Sequence, residues 1–149
     1  MANLTKADRV PSEHYRPEQF LCPICQHTLK RLHLLWRKHL TFSTGVKMVS
    51  SWAYCCPQAN CPGADERFTS RKAETLQLKY RRFSRELVVK IGYRRFWHHQ
   101  TMYEIYDWLS QDLQIAISDR EVMHLIADFL ALLSAAQPAK IRHKLISLK

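Results

Sequence analysis

Glycine and acidic side chains are scarce in this chain, and no long apolar run is present. Only three of the 149 residues are glycine and 46% are hydrophobic, a composition that favours a globular, largely helical protein over a disordered one. The longest apolar run, Phe129 to Ala136, is interrupted by Ser134 and is too short to span a membrane. The first residues contain no secretory hydrophobic segment, which predicts a cytoplasmic location and reduced thiols.

The shortage of acids leaves a strong positive charge. The chain has 23 lysines and arginines against 13 acids, a net charge of +10. Between residues 67 and 95, ten basic residues accompany only Glu74 and Glu86, so this stretch alone has a net charge of +8. A solvated surface usually mixes its charges, and this stretch therefore favours an anionic partner, with nucleic acid preferred.

Four of the five cysteines form two closely spaced pairs. Cys22 and Cys25 have the spacing C-x2-C, and Cys56 and Cys61 have the spacing C-x4-C, with a proline after the first cysteine of each pair. Two such loops facing one another supply the four soft ligands of a tetrahedral zinc ion. Four thiolates leave no open coordination position, so the predicted Zn²⁺ is structural rather than catalytic.

Cys55 is an alternative ligand to its neighbour Cys56. On a strand, Trp52, Tyr54 and Cys56 would point to one side and Cys55 to the other, which favours Cys56 and leaves Cys55 as a spare thiol. Three histidines are further alternatives, but their spacing from Cys25 does not suit a finger with two cysteines and two histidines. These residues are His27, His33 and His39.

The pattern along the chain predicts an α+β protein, in which a small zinc-ribbon β module precedes a three-helix helix-turn-helix domain. The apolar stretch from Val46 to Tyr54 favours a strand of the ribbon. The predicted segments are a loosely ordered polar leader (1–19), the zinc ribbon (20–68), a basic connector (69–83), the helix-turn-helix domain (84–137) and a basic tail (138–149).

Three capping signals divide the second half into helices. Ser84 favours the start of a helix that runs to about residue 98. The capping boxes Thr101–Glu104 and Ser118–Glu121 predict two more helices, the first ending near residue 110 and the second ending before Pro138.

The last helix is the predicted recognition helix. Its outward face begins with Arg120, Met123 and His124, which are the candidate base contacts, and Arg120 is preferred because arginine can bind guanine through two donors. The candidate phosphate contacts precede and follow the start of the first helix and are Arg81, Arg82, Arg85, Lys90, Arg94 and Arg95. Five aromatic residues interleave with them and are expected mostly in the core: Tyr80, Phe83, Tyr93, Phe96 and Trp97.

This order of parts resembles the N-terminal region of bacterial insertion-sequence transposases of the Asp-Asp-Glu type. The resemblance covers about residues 20–135; it depends on Cys22, Pro23, Cys25, Tyr54, Cys56, Pro57 and Cys61, and on the stretches 101–109 and 118–122. It implies binding of duplex DNA, such as the ends of a mobile element, and association with the nucleoid. Four departures are Gln26, where glycine often follows the first pair, the extra Cys55, the long joint 111–117 between the last two helices, and the lack of a strand-rich region for the catalytic carboxylates. The chain is therefore not expected to cut DNA.

Two other functions stay open at this level. The ribbon and helices could form a protein–protein adaptor within a nucleoprotein assembly, which exposure of Trp36, Trp108 and Leu132 would favour. The basic stretch could instead bind structured RNA. A protein partner or a homodimer is compatible with either function, and no membrane partner is expected.

Overall fold

The computed structural model describes residues 10–136, and the predicted basic tail lies outside them. The chain divides into two compact units. The first comprises the residues up to Leu40 together with Val46–Arg82, and the second comprises Thr41–Gly45 and the chain from Phe83 onward. The described part contains one three-stranded sheet and four α-helices, which confirms the α+β class. None of these helices combines the length and the apolar character needed to cross a bilayer.

The sheet has the strand order β1-β3-β2. Its strands are β1 (Ser12–Tyr15), β2 (Lys30–Phe42) and β3 (Gly45–Cys55), and β3 confirms the strand predicted from its apolar residues. A two-residue connection joins β2 to β3, a length that permits only antiparallel pairing. Gly45 follows this turn with a φ of 133°, a backbone conformation that residues other than glycine rarely adopt.

Strand β1 differs from the loosely ordered leader expected for this segment. It pairs in parallel with β3, and Ser12 lies opposite Met48 while Tyr15 lies opposite Ser51. Glu13 accepts hydrogen bonds from Tyr15 Oη at 2.6 Å and from Lys47 Nζ at 3.2 Å. The paired strand β3 and the donor Lys47 lie more than thirty residues away in the chain, so local composition did not reveal the strand.

Part of the predicted connector forms a short helix, α1 (Arg71–Leu76). The Ser70 hydroxyl accepts from the Ala73 amide at 3.1 Å, and Glu18 accepts from the amides of Arg71 and Lys72 at 3.1 and 3.0 Å. The Lys72 amide is the largest of the effects that lower the pKa of the Glu18 carboxyl to about 2. The start of α1 is therefore capped by a carboxylate from outside the helix.

The three predicted helices begin at their predicted caps. They are α2 (Arg85–Gly92), α3 (Met102–Asp107) and α4 (Asp119–Ala136). Ser84 and Thr101 each accept a hydrogen bond from the amide three residues later, at 3.2 Å in both cases. Ser118 does the same for Glu121, whose carboxylate accepts in return from the Ser118 amide at 3.3 Å. The second capping box is thus reciprocal.

The ends of α2 and α3 differ from the regular helices expected there. Each continues as a π-helical turn, at Tyr93–Trp97 and Trp108–Asp112. The amides of His98 and Leu113 donate to the carbonyls five residues earlier, both at 3.1 Å. Such turns are rare, and they rotate the side chains that follow them relative to an α-helix.

The second unit has its own apolar core, in which α4 packs against α2 and α3. Its largest fully buried side chains are Leu87, Val88, Ile91, Ile105, Leu109, Val122 and Leu125. The backbone of α2 approaches α4 closely at Gly92, where an added Cβ would lie 2.1 Å from Cγ of Phe129. The Phe129 ring also stacks on Phe96, with the ring centroids 5.9 Å apart. Glycine at position 92 therefore determines how closely these helices can pack.

Candidate metal centre

The four cysteines predicted as ligands lie together in the first unit. The sulfur atoms of Cys22, Cys25, Cys56 and Cys61 all lie within 4.8 Å of one another. The distance between the sulfurs of Cys22 and Cys61 is 3.7 Å, and that between Cys25 and Cys56 is 3.3 Å. All four are free thiols, since a disulfide bond is only about 2 Å long.

The spacing of the sulfurs suits a tetrahedral ion. Metal–sulfur bonds of about 2.3 Å at tetrahedral angles separate the sulfurs by roughly 3.8 Å, close to the distances observed. Each of the two short contacts joins one cysteine of the first pair to one of the second. A bound ion would therefore link two loops that are about thirty residues apart in the sequence.

The first loop is closed by its own backbone. The Cys22 amide donates to the carbonyl of His27 at 2.8 Å, and the Gln26 amide donates to the carbonyl of Cys22 at 2.9 Å. Gln26 has a φ of 64°, in the left-handed region that glycine adopts most easily. This conformation explains why glycine is common after such a pair and why Gln26 is a strained substitute.

The second loop depends on a glycine that sequence reasoning missed. The Cys56 amide donates to the carbonyl of Gly63 at 3.3 Å, which brings this glycine to the sulfurs. An added Cβ at Gly63 would lie 2.8 Å from Sγ of Cys22 and 3.5 Å from Sγ of Cys61. The only sequence signal is the position of Gly63, two residues after the last ligand.

Backbone amides and burial act in opposite directions on the thiols. The amides of Cys25 and then Ile24 lower the pKa of Cys22 to about 7 despite its burial. Burial raises the pKa of Cys56 even though the Gln58 amide opposes it. The pKa of Cys61 is also raised: the Gly63 amide lowers it, but burial and the neighbouring thiols outweigh that effect. Four thiolates so close together require a cation to offset their mutual repulsion.

Few apolar side chains support this site. The buried cluster around it consists of Cys22, Leu29, Cys56 and Cys61, against which Cys25, Tyr54 and Phe68 pack. Tyr54 and Phe68 also exchange backbone hydrogen bonds of 2.9 and 2.8 Å. Since three of the four buried members are candidate ligands, this core provides little hydrophobic stabilisation of its own.

The alternative ligands lie outside the group. Cys55 is only 4% exposed and lies on the β3 face that also buries Val49 and Ala53. Its sulfur does not belong to the cluster, which is the arrangement that strand alternation predicted. His27, His33 and His39, the histidines that could have replaced a cysteine as ligand, also lie outside the group of four sulfurs.

Replacing Gln26 with glycine is expected to stabilise the first unit in its metal-loaded form. The left-handed conformation costs an ordinary residue about 1–2 kcal/mol. The added freedom of glycine in the unfolded chain offsets about 0.4–1 kcal/mol of that gain. Gln26→Gly should therefore raise the free energy of unfolding by up to about 1.6 kcal/mol in urea titrations. The neighbouring change His27→Gly is the control and should lower it, and equal effects of the two changes would contradict the prediction.

The three candidate base contacts lie on one exposed face. Arg120, Met123 and His124 occupy the first two turns of α4, and all three are exposed. Met123 is 61% exposed. The nearby carboxylate of Glu121 is occupied by the capping box. This face therefore presents a guanidinium, a thioether and an imidazole, together with the exposed carboxylate of Asp119 in the first turn.

The candidate phosphate contacts are distributed over both units. Arg81 and Arg82 belong to the first unit, and the other four belong to the second. Lys90 forms an ion pair with Glu86 at 2.9 Å. Arg94 and Arg95 donate to Gln100, at 3.4 Å to its side chain and 3.2 Å to its carbonyl. Several of these basic groups thus also hold the second unit together.

The expectation that the interleaved aromatic residues lie mostly in the core is wrong. Tyr80 is 85% exposed, Tyr93 52% and Trp97 73%, whereas Phe83 is buried and Phe96 packs against Phe129. The exposure of Tyr93 and Trp97 was predictable from the helical period. When the buried positions of α2 are continued with that period, residues 93 and 97 lie on the outer side of the helix.

Comparison with known protein families, with curated proteins and with solved structures found no match to this chain.

Proposed function

We propose that this is a zinc-stabilised protein that binds duplex DNA. In this proposal Cys22, Cys25, Cys56 and Cys61 hold a structural Zn²⁺ in a zinc ribbon, and the second unit acts as a helix-turn-helix. Zinc is favoured because it prefers a closed tetrahedron of thiolates and has no redox chemistry of its own. The proposal includes no strand cleavage.

The observation that carries the proposal is the exposed start of α4. This helix begins at a reciprocal capping box, and its opposite face is buried against α2 and α3. Arg120, Met123 and His124 are therefore displayed on the first turns of a rigid helix, which is the part of a recognition helix that reaches base edges. An arginine there can read guanine through two donors.

The charge of the chain supports the same proposal. Six of the ten basic residues between positions 67 and 95 are exposed: Arg67, Arg71, Lys72, Lys79, Arg82 and Lys90. Together with the net charge of +10, they favour binding to a polyphosphate through release of counterions.

The proposal predicts that duplex binding weakens steeply with salt and that Arg120 contributes to sequence preference. With about five phosphates contacted, the slope of log K against log salt should be about −4 to −5 between about 50 and 200 mM. After selection of preferred sites from random duplexes, Arg120→Ala should reduce discrimination by about 1–3 kcal/mol at one base pair. Fluorescence anisotropy with preferred and scrambled duplexes measures both quantities.

Arg82→Ala is the matched control, because this exposed arginine is a candidate phosphate contact. It should weaken binding to preferred and scrambled duplexes equally. It should also make the slope of log K against log salt shallower by about 1. Duplex binding that is weak and insensitive to salt would overturn the proposed function. Stronger competition by structured RNA than by duplex DNA would replace it with the RNA-binding alternative.

The structure offers less support for a protein–protein adaptor. The three side chains whose exposure would favour that function, Trp36, Trp108 and Leu132, are only partly exposed. The Trp36 indole donates to Glu74 at 2.8 Å, and Trp108 lies beneath the guanidinium of Arg94. Both rings are therefore already engaged within their own units.

A further inference from the structure

The second unit contains a cleft of about 560 Å³ that the metal site and the α4 face do not use. Its lining includes Lys90, Tyr93, Arg94, His98, Gln100 and Trp108. This volume falls in the range typical of small-molecule sites. All of these residues belong to one unit, and they lie on α2, on the two π-helical turns and in the segment between the first turn and α3.

Aromatic rings form much of this cleft and its edge. Tyr93 lines it and is 52% exposed, and the ring of Trp97 lies next to Tyr93 with the centroids 6.0 Å apart. Trp97 is itself 73% exposed. On the lining, the Arg94 guanidinium lies 3.8 Å from the centroid of the Trp108 ring. Arg94 and Trp108 thus cover one another, and the exposed ring of Tyr93 is the flat face on which a flat ligand can stack.

The two π-helical turns create this arrangement. Tyr93 and Arg94 begin the first turn, and Trp108 begins the second. Turns of this kind are rare and occur frequently at functional sites. Here both of them contribute to the same cleft. Their convergence is a second observation, independent of the exposure of the aromatic side chains, that indicates a binding site.

The charges around the cleft favour an anionic ligand. Lys90 and Arg94 carry positive charge, and no carboxylate is among the described residues that line the cleft. Lys90 is already engaged, since it pairs with the carboxylate of Glu86 at 2.9 Å and donates to the hydroxyl of Ser43 at 3.0 Å. Both partners of that pair are partly exposed, and a phosphate can compete with an exposed carboxylate for the ammonium group.

We infer that this cleft binds an unpaired nucleotide, whose base stacks on Tyr93 while its phosphate lies near Lys90. The inference rests on the proposed DNA-binding function and adds a preference for nucleotides that are not base-paired. A base inside a duplex has both faces covered by its neighbours, whereas an unpaired base can offer one face to an aromatic ring. A flat, anionic ligand fits this lining better than an acidic peptide, which lacks a planar face.

The test compares three probes: a fully paired duplex, the same duplex with one unpaired nucleotide, and oligothymidylate of about ten nucleotides. The wild-type protein should bind the duplex with the unpaired nucleotide more tightly than the paired one. Tyr93→Ala should weaken binding of the unpaired nucleotide and of oligothymidylate by roughly 5- to 150-fold and leave the paired duplex unchanged. Tyr93→Phe should retain the affinity, because it keeps the stacking surface.

Tyr103→Ala is the matched control, since Tyr103 is 75% exposed on α3 and does not line the cleft. It should leave all three affinities unchanged, and circular dichroism would verify that both alanine variants keep their helices. Equal wild-type affinity for paired and unpaired probes would overturn the inference, and that result does not depend on any variant. Polyglutamate should compete poorly for the cleft. If it competed as well as oligothymidylate does, and if this competition were lost in Tyr93→Ala, the cleft would bind an acidic peptide and the inference would be overturned. Absence of paired-duplex binding would instead contradict the proposed function.

Discussion

Removal of the metal ion is expected to unfold residues 20–40 and 46–68, which belong to the first unit, while α2, α3 and α4 stay folded. The buried cluster around the sulfurs contains only one aliphatic side chain, Leu29, so the ligands themselves form most of this core. Structural zinc contributes about 10–16 kcal/mol of apparent binding energy in comparable small modules, which is as large as the whole stability of a typical domain. The second unit has a separate apolar core and no metal-ligand group among the residues described.

Chelation followed by amide NMR would measure this effect segment by segment. Signals of residues 20–40 and 46–68 should collapse to the unfolded range, those of residues 84–136 should be retained, and added zinc should reverse the change. Metal analysis of the purified protein should find one ion per chain, and retention of all signals after complete metal removal would contradict the prediction.

The adjacent cysteines offer a matched pair of variants for this experiment. Cys56→Ser removes a ligand and should abolish tight metal binding, whereas Cys55→Ser alters a buried sulfur outside the cluster and should keep it. Both changes place a hydroxyl at a buried position, so a difference between them reports on coordination rather than on burial. Loss of the metal in Cys55→Ser with its retention in Cys56→Ser would reverse the assignment of the ligand.

The substitution Gly92→Ala is expected to have the second large effect, a loss of stability of the second unit. Alanine in the interior of a helix is normally more favourable than glycine by about 1 kcal/mol. Here the added Cβ would lie 2.1 Å from Cγ of Phe129, far inside van der Waals contact, and Phe129 is only 7% exposed. Overpacking of this kind costs about 1–3 kcal/mol or more, so Gly92→Ala should destabilise the second unit despite the better helix propensity.

Thermal unfolding followed at helical wavelengths would show the change, with the midpoint lowered by about 4–8 °C for each kcal/mol lost. Gly92→Ala combined with Phe129→Leu should recover part of the loss, because a smaller side chain at position 129 relieves the clash. A higher midpoint for Gly92→Ala alone would contradict the close approach of α2 and α4.

Gly63→Ala is the control for the same chemical change in the first unit. Its Cβ would lie 2.8 Å from Sγ of Cys22, so the substitution should weaken metal binding and leave the helices of the second unit stable. Gly92→Ala should destabilise the helices of the second unit and leave metal binding unchanged. Each variant thus controls for the general effect of adding a methyl group to the chain.

The metal-ligand group was predictable from the sequence because each half of it is local. Cys22 and Cys25 lie on one short loop. Strand alternation correctly placed Cys55 on the side of β3 that faces away from the four grouped cysteines. Gly63 was not predictable, because its role is to leave room for a sulfur about forty residues earlier in the chain. Spacing identifies the ligands, but it does not identify the residues that must be small for the ligands to converge.

The exposed aromatic residues show the same division. Composition placed Tyr93 and Trp97 in the core, since aromatic side chains usually contribute buried area. Whether an aromatic side chain is buried depends on which helix face meets a partner, and here α4 covers the face of α2 that contains Leu87 and Ile91. The π-helical turns then place the remaining rings beside the cleft.

The sequence by itself determined the features that depend on a few neighbouring residues. These are the two cysteine loops, the strand β3, and the helix starts at Ser84, Thr101 and Ser118, where a side chain bonds to an amide three residues away. Only the tertiary structure decided the parallel pairing of β1 and the close approaches at Gly63 and Gly92. Those features arise from contacts between distant segments, whose geometry local periodicity and spacing do not encode.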